Sequence, residues 1–243
     1  MGTRIELHFH LLPGVDDGPR TLDESLALAR LAVADGTGLV VCTPHVELVD
    51  VLSLPGRVRD LDAALREEQI PLQIKPGGEI RAGTSLTSAE LELLAHGPVG
   101  RRWVLLEAPL ERGQIDVFHA HADELEGRGY GLLIGHPERC EELMAPGGGL
   151  QGRLRRGARL QVNASSLTGA HDRRSREAGF DLLARGLVAV LASDAHGAHR
   201  PPLLTVATRM LRARDLDGDP LTANAPRLLL RDGLAAKRAR PAA

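Results

Sequence analysis

The sequence predicts a single α/β domain whose parallel strands form a barrel, and three observations support this fold class. Short apolar runs rich in β-branched residues alternate with segments of helical hydrophobic spacing, as in parallel sheets with crossover helices. The 243 residues suffice for one such domain and for a core that needs no disulfide. Polar side chains follow each predicted strand, and in barrels the loops after the strands meet at one mouth.

Seven short segments have the apolar, β-branched character of buried strands. We predict strands at 5–7, 38–42, 72–74, 103–106, 131–134, 159–162 and 187–191. Each is followed by at least one side chain suited to metal binding or hydrogen bonding. In chain order these are His8 and His10, His45, Glu79, Glu107, His136, Asn163, and finally Asp194 with His196.

The segments between the strands have the spacing of amphipathic helices. We predict helices at 22–34, 58–68, 88–94, 115–126 and 176–184. Thr21 and Glu24 form a capping-box pattern at the start of the first helix. Gly36, Gly127 and Gly186 stand where helix C-caps are expected.

The bulk composition argues against a nucleic-acid or membrane partner. The formal net charge is -2 and the isoelectric point is about 6.6, so no bulk attraction to nucleic acid or anionic lipid is expected. Aromatic residues make up 2% of the chain, too few to stack bases. The chain has neither an apolar run of membrane-spanning length nor an apolar signal segment. Together with only two cysteines, Cys42 and Cys140, this predicts a cytoplasmic protein; the oligomeric state is left open.

The spacing of histidines and acids predicts a metal centre. His8-Phe9-His10 has both imidazoles on one face of a strand, because side chains alternate with period two. Such a pair alone is weak evidence, but the same spacing recurs at Asp194-Ala195-His196 after the most apolar strand. Imidazole and carboxylate ligands together favour Mn, Fe or Zn. Further candidate ligands at strand ends are His45, Glu79, Glu107 and His136.

Other polar residues have ordinary structural interpretations beside the functional one. Asp16-Asp17-Gly18 matches a plain turn, so Asp17 is a candidate ligand only because of its neighbours. Arg139 and Arg200, near the expected mouth, suit a bidentate grip on phosphate where a metal site is present. Solvent-exposed positions are expected for the histidines that lie away from strand ends, His96, His119, His121 and His171.

With these residues in view, the sequence resembles the PHP (polymerase and histidinol phosphatase) metal hydrolases. Within them it is similar to the branch of bacterial capsule-type manganese-dependent protein-tyrosine phosphatases. The resemblance extends over about residues 5–233. It rests on HFHLLPGVDDG at 8–18, TPH at 43–45, GGEI at 77–80, Glu107, GHPER at 135–139, QVNASS at 161–166, ASDAH at 192–196 and LTANAP at 221–226.

The resemblance implies a distorted (β/α)7 TIM-like barrel, the PHP fold, as a single domain. It implies three divalent metal ions, Mn2+ first with Fe or Zn as alternatives, and a substrate phosphate held by Arg139 and Arg200. We take residues 1–233 as the phosphatase domain and 234–243 as a short, basic and disordered tail. The implied metal ligands are His8, His10, Asp17, His45, Glu79, Glu107, His136, Asp194 and His196.

The activity implied by the resemblance is hydrolysis of a phosphate monoester by attack of metal-bound hydroxide. The implied substrate is phosphotyrosine in the tail of a bacterial tyrosine kinase that controls polysaccharide export. No nucleic acid and no membrane insertion are expected. A thiolate mechanism is excluded, because the arginine it needs six residues after each cysteine is replaced by Leu48 and Pro146.

One segment departs from the pattern of this family and leaves alternatives open. After His45 the sequence VELVDVL, residues 46–52, is apolar and acidic, where relatives often carry basic, amide and aromatic residues. A small-molecule phosphoesterase on the same scaffold, for example one like histidinol phosphatase, is therefore an alternative. A non-catalytic, metal-binding regulatory partner of the export kinase is a second. A polymerase proofreading module is disfavoured, because no basic groove accompanies the domain.

Overall fold

Two parallel sheets form the centre of the molecule, seen in a computed structural model that describes residues 3–236. The first sheet has the order β1-β2-β3 and the second the order β4-β5-β6-β7-β8. The fold class predicted from the sequence is confirmed, as are all seven strand segments; the third continues into the short strand β4. The strands are β1 Arg4–Glu6, β2 Thr37–Cys42, β3 Gln73–Pro76, β4 Glu79–Ile80, β5 Trp103–Glu107, β6 Gly131–Gly135, β7 Arg159–Asn163 and β8 Val188–Ala192.

The two sheets meet through isolated bridges at the carboxyl ends of the strands. Phe9 bridges Ala195, which joins the segment after β1 to the segment after β8. His45 bridges Glu79 on the other side, where the Glu79 N–H donates to the Pro44 carbonyl at 3.0 Å. The two sheets therefore form a distorted barrel that is not closed by continuous strand pairing and is joined by these bridges at its mouth.

Helices connect successive strands and cover the outside of the sheets. Two of the predicted helices have the expected bounds, and α2 and α8 begin earlier than expected. Gly127 was wrongly predicted as a C-cap: α4 continues through it, and Gly129 adopts the left-handed backbone (φ 94°) instead. The helices are α1 Leu22–Ala34, α2 Leu54–Glu67, α3 Ser88–Leu94, α4 Ile115–Gly127, α5 Glu141–Met144, α6 Leu150–Arg156, α7 Ala164–Thr168, α8 Arg173–Ala184, α9 Leu204–Arg212 and α10 Ala225–Asp232.

A small apolar cluster lies beneath the mouth of the barrel. Trp103 and Leu105 of β5 belong to it and share a strand face with Glu107, because side chains alternate along a strand. The indole N–H of Trp103 donates to the carbonyl of Leu229 in α10 at 2.9 Å, so this helix contributes to the base of the cluster. The polar residues at the strand ends therefore lie directly above a closely packed apolar cluster.

Two glycines lie between β3 and β4, just after the third predicted strand. A Cβ atom on Gly77 would lie 2.5 Å from Val41 Cγ1, and one on Gly78 would lie 2.5 Å from Val46 Cγ1. Both distances are shorter than van der Waals contact, so the backbone passes closer to its neighbours than a side chain allows. This close approach separates β3 from β4 and brings Glu79 to the bridge with His45.

The carboxyl-terminal residues are described as far as residue 236. Leu234 is buried, its N–H donates to the Arg101 carbonyl at 2.7 Å, and Ala235 bridges Tyr130. The remainder of the predicted tail, residues 237–243, lies outside the described residues. Among residues 3–236, none of the helices combines the length and the hydropathy needed to cross a membrane.

Glu6, at the end of β1, is a buried acid that makes folding depend on pH. One carboxylate oxygen accepts from the Ser193 N–H at 2.9 Å, and the other has no hydrogen-bond partner among the described residues. Burial raises its pKa from 4.5 to about 8. The stabilising contribution of the neutral form is therefore complete below pH 4.5 and is lost as the pH rises through about 8.

We expect Glu6→Gln, which stays neutral, to remove most of this pH dependence. Between pH 5 and 8 the wild type should lose up to a few kcal/mol of unfolding free energy relative to the variant. Urea unfolding of the metal-free proteins at the two pH values measures the difference. Glu67→Gln, at an exposed position of α2, is the control and should follow the wild type; identical pH dependence of wild type and Glu6→Gln would contradict the expectation.

Candidate metal centre

The two histidines after β1 point at the same pair of carboxylates. His8 Nε2 lies 3.2 Å from Glu79 Oε2 and 3.3 Å from Asp194 Oδ1. His10 Nε2 lies 3.3 Å and 3.5 Å from the same two oxygens. All four side chains are buried. Residues far apart in sequence thus converge at the centre of the barrel mouth.

All nine residues predicted as ligands come together there. They fall into four overlapping groups, and within each group the candidate ligand atoms lie within 4.8 Å of one another. Six of the nine are buried, His45 and Glu107 are partly exposed, and Asp17 is exposed at the rim. The groups are His10, Asp17, His45 and His196; His8, His136 and Asp194; His8, His10 and Glu79; and His45, Glu79 and Glu107.

The donor atoms fit divalent cations. The Nε2 atoms of His8 and His10 and the Nδ1 atoms of His45 and His136 are buried without a hydrogen-bond partner among residues 3–236. Buried polar atoms are seldom left unpaired, and a cation shared with Glu79 and Asp194 would satisfy these four nitrogens. Five imidazoles with four carboxylates are a donor set for Mn, Fe or Zn rather than for Ca.

The charges of these residues are strongly coupled. Burial favours neutral carboxyl groups, but the neighbouring histidines hold the pKa of Glu79 and that of Asp194 well below their usual values. Burial lowers the pKa of His8, yet the charges of Glu79 and Asp194 raise it to about 9. Burial and repulsion from Glu79 raise the pKa of Glu107 to about 8. The cluster therefore attracts positive charge, which protons supply when metal ions do not.

Two of these residues have a backbone conformation that is unfavourable for their type. His136 (φ 33°) and Asp194 (φ 52°) are in the left-handed region, which residues with a Cβ atom seldom adopt. Each such residue costs on the order of 1–3 kcal/mol. The surrounding structure overcomes this cost at both positions and so directs both side chains into the cluster.

Hydrogen bonds on the far side of the imidazole rings orient them. His8 Nδ1 lies 2.9 Å from Gln161 Oε1, and His10 Nδ1 lies 2.6 Å from Asp16 Oδ2. When these oxygens accept a hydrogen bond from the Nδ1–H group, the proton stays on Nδ1 and each ring keeps the lone pair of Nε2 for a metal ion. Gln161 in turn donates to Asn163 at 2.7 Å, and Asn163 donates to Asp194 Oδ2 at 2.7 Å.

Asp16 contacts the candidate site, although the sequence pattern gave it no role there. Its position in Asp16-Asp17-Gly18 predicted a turn, and the Gly18 N–H indeed donates to Asp16 Oδ1 at 3.0 Å. The other oxygen accepts from the His45 N–H at 3.2 Å as well as from His10. Asp16 therefore holds in place both the loop at the rim of the barrel and the imidazole ring of His10, a candidate ligand.

We expect Asp16→Asn to weaken metal binding 10- to 100-fold, the usual effect of losing a partner behind a ligand. The amide of asparagine replaces one acceptor oxygen by an NH2 group, which is a donor. This NH2 group would then face another N–H donor, that of Gly18, His45 or His10, and one hydrogen bond would be lost. Titrating Mn2+ back into chelated protein, with the amount of bound metal as the signal, measures the change. Asp60→Asn, at an exposed position of α2, should bind as the wild type does. An unchanged titration curve for Asp16→Asn would contradict the assignment.

The two predicted phosphate-binding arginines both face the cluster through Asp194. Arg200 Nη2 lies 2.5 Å from Asp194 Oδ2, and its Nη1 lies 3.2 Å from His196 Nε2. Arg139 Nη1 lies 3.8 Å from the same Asp194 oxygen. Both guanidinium groups are partly exposed. They can therefore contact an anion that enters the mouth of the barrel.

Glu138 fixes the turn that carries Arg139. It is buried, and Oε1 accepts from the Asn163 N–H at 3.0 Å and from the Ser166 hydroxyl at 2.7 Å. These bonds tie the 3-10 turn Pro137–Arg139 to the start of α7. Within four residues the motif GHPER thus supplies the candidate ligand His136, the buried Glu138 that holds the turn, and the candidate phosphate contact Arg139.

The prediction that four other histidines are exposed to solvent was wrong. His121 is buried and accepts from the Gly83 N–H at 3.0 Å, and His119 accepts from the buried Arg153 at 3.1 Å. His96 and His171 are half-buried, and His171 Nε2 lies 2.9 Å from the Ser165 hydroxyl. Their surroundings are packed because helices and loops cover the barrel on all of these sides.

A parallel α/β barrel with imidazoles and carboxylates gathered at its mouth is an architecture of metal-dependent hydrolases. Residues 4–223 match the family model described as capsular polysaccharide synthesis, CpsB/CapC. The chain therefore belongs to the CpsB/CapC family, in agreement with the resemblance seen in its sequence motifs.

Relatives of known name support this assignment. The tyrosine-protein phosphatase YwqE of Bacillus subtilis is 31% identical over 201 residues, which are 79% of this chain and 77% of the relative. The tyrosine-protein phosphatase CpsB of Streptococcus agalactiae is 28% identical over 224 residues, 85% of this chain and 89% of the relative.

A solved structure agrees over nearly the whole chain. It is described as that of YwqE from Bacillus subtilis and CpsB from Streptococcus pneumoniae, metal-dependent tyrosine phosphatases. The TM-score is 0.76 at 27% identity, with 97% of this chain and 99% of the other covered. A lactonase from Listeria monocytogenes, at 13% identity and a TM-score of 0.56, shares the fold alone.

Proposed function

We propose that this protein is a metal-dependent phosphatase that hydrolyses phosphotyrosine in a protein substrate. The observation that supports it best is the complete set of nine candidate ligands, together with two arginines, at one end of the barrel. Family membership adds the substrate class, because the named relatives are tyrosine-protein phosphatases.

The candidate ligands are suited to three divalent ions, with Mn2+ as the first choice and Fe or Zn as alternatives. Such ions, when bound, lower the pKa of water and neutralise phosphoryl oxygens. The four groups share His8, His10, His45 and Glu79, so neighbouring ions would have ligands in common. The shared residues make the centre cooperative, since losing one of them affects more than one ion.

The remaining groups of the chain hold the substrate. We propose that Arg139 and Arg200 exchange part of their contact with Asp194 for hydrogen bonds to the phosphoryl oxygens. The negative charge on these oxygens grows in the transition state. A phenol leaving group, with a pKa of about 10, departs more readily than an aliphatic alcohol and needs less help from a general acid.

The proposed physiological substrate is the phosphotyrosine-bearing tail of a bacterial tyrosine kinase in polysaccharide synthesis or export. The description of the family and the names of the relatives support this choice. A cytoplasmic location, which such a substrate requires, stays a prediction.

Restoring activity with metal tests the proposal. Chelated protein should be inactive on p-nitrophenyl phosphate and on phosphotyrosine peptides, and added Mn2+ should restore turnover. Absence of metal-restored turnover on every phosphate ester would overturn the enzyme assignment. Restored turnover confined to phosphorylated metabolites such as histidinol phosphate would keep the metal centre and replace the substrate.

A small-molecule phosphoesterase is the second candidate, favoured by the loop at the entrance to the site. Leu48 and Leu52 in this loop are 59% and 61% exposed, beside the acidic Glu47 and Asp50. A panel of phosphorylated metabolites against phosphotyrosine peptides separates the two candidates. A non-catalytic partner of the kinase would instead bind the kinase without hydrolysing any ester, and His136→Ala would leave such binding intact.

A further inference from the structure

A cleft of about 360 Å3 opens beside the metal centre. Three candidate ligands, Asp17, His45 and Glu107, line it. The loop after His45 and the loop after β5 supply most of its remaining lining, so a substrate that approaches the metal centre through this cleft touches both loops. The side chains on these loops are therefore in a position to select among phosphate esters.

The two loops present apolar side chains to the cleft. Leu48, from the first loop, is 59% exposed, and Leu110, from the second, is 47% exposed. Large apolar side chains left open beside a polar centre are typical of a binding groove. They suit the aromatic ring of a phenyl phosphate.

The charges of the cleft are unevenly paired. Glu111 on the second loop lies 2.8 Å from Arg81, so these two side chains satisfy each other. Glu47 is exposed in the same cleft, and no basic group of residues 3–236 lies within 4.0 Å of its carboxylate. One acid at the entrance is thus available to a ligand.

An available acid here is unfavourable for a bare phosphate ester. Arg139 and Arg200, with the metal ions the cluster is suited to hold, attract a dianion, whereas Glu47 repels it. A substrate that carries its own cation near the phosphate turns this repulsion into attraction. The charge pattern therefore matches a substrate with opposite charges placed side by side.

We propose that this cleft selects phosphotyrosine segments with a lysine or arginine next to the phosphorylated residue. In this arrangement Leu48 and Leu110 contact the ring, and Glu47 pairs with the basic side chain. The inference rests on the proposed phosphatase function and specifies the sequence around the phosphate. It gives the acidic loop, the segment that departs from the family pattern, a role in choosing the substrate.

Three phosphotyrosine peptides that differ only in the two residues on each side, Lys, Gln or Glu, test the proposal on the Mn2+-loaded, full-length protein. We expect kcat/KM to fall from the Lys to the Gln to the Glu peptide, by about three-fold per step, as an exposed charge pair supplies. High salt should reduce the differences, because it screens exposed charges. Each peptide rate is divided by the rate on p-nitrophenyl phosphate for the same protein.

Glu47→Lys should reverse the order of the three peptides, and Glu47→Gln should flatten it. Glu67→Lys makes the same charge change on the exposed face of α2, which is not part of the cleft lining, and should keep the wild-type order. Equal rates on the three peptides, or a Lys preference that survives Glu47→Lys, overturns the inference and leaves the phosphatase function standing. No turnover of any phosphotyrosine peptide overturns both.

Discussion

Glu79→Gln is expected to lower kcat/KM on phosphate esters by roughly 10³-fold or more and to reduce the amount of bound metal. The carboxylate belongs to two of the four candidate ligand groups and lies within 3.3 Å of nitrogens of His8, His10, His45 and His136. A bound metal ion contributes several kcal/mol to phosphoryl transfer, and about 4 kcal/mol corresponds to 10³ in rate. Steady-state kinetics and elemental analysis of the same preparation measure both effects.

Glu67→Gln is the matched control for this experiment, because it makes the same chemical change at an exposed position of α2. It should keep the wild-type rate and metal content. If Glu79→Gln retained full metal content together with near-normal kcat/KM, the carboxylate would be only a structural partner of the four histidines. Circular dichroism separates loss of metal from loss of fold.

Arg200→Lys is expected to lower kcat/KM by roughly 10²-fold while the metal content stays unchanged. Lysine keeps the charge but loses the planar fork that donates twice to a phosphoryl group. The estimate follows the cost of removing one preorganised donor from a transition state, 10² to 10³ in rate. The metal measurement is needed because Arg200 also contacts Asp194 at 2.5 Å.

Arg209→Lys, on the exposed side of α9, makes the same change away from the site and should have no effect. A loss of metal in Arg200→Lys would assign Arg200 to the support of Asp194 instead of to phosphate binding. The two predictions thus distinguish residues that hold metal ions from those that hold substrate.

The strands and their polar ends were predictable because each depends on a local signal. Runs such as 131–134 and 187–191 are apolar and β-branched, and the residues that follow them break the pattern with His136 and Asp194. Helix α1 was predictable from its capping residue and its spacing, and α3 from its spacing; the structure confirms Thr21 as the N-cap of α1. The short helices α5 and α7 have four and five residues, which is too few for a periodic signal.

The residues that hold the candidate ligands in place were harder to predict from the sequence. Asp16 and Asp17 are adjacent and chemically alike, yet one bonds the back of the His10 ring and the other lies at the rim near His45 and His196. The family resemblance singled out Asp17 as a ligand, but the role of Asp16 depends on the three-dimensional course of the turn. The same holds for Gln161, whose contact with His8 spans 153 positions of sequence.

The glycine pair at 77 and 78 makes the geometry of the candidate metal centre depend on the spacing of the backbone. Glu79 owes its position to backbone spacing that has no room for a methyl group, since Val41 and Val46 fill the places where Cβ atoms would stand. A change from glycine to alanine there would push the strand away from its neighbours and withdraw the carboxylate from several histidines together. Either substitution is therefore expected to lower metal affinity without altering a single candidate ligand.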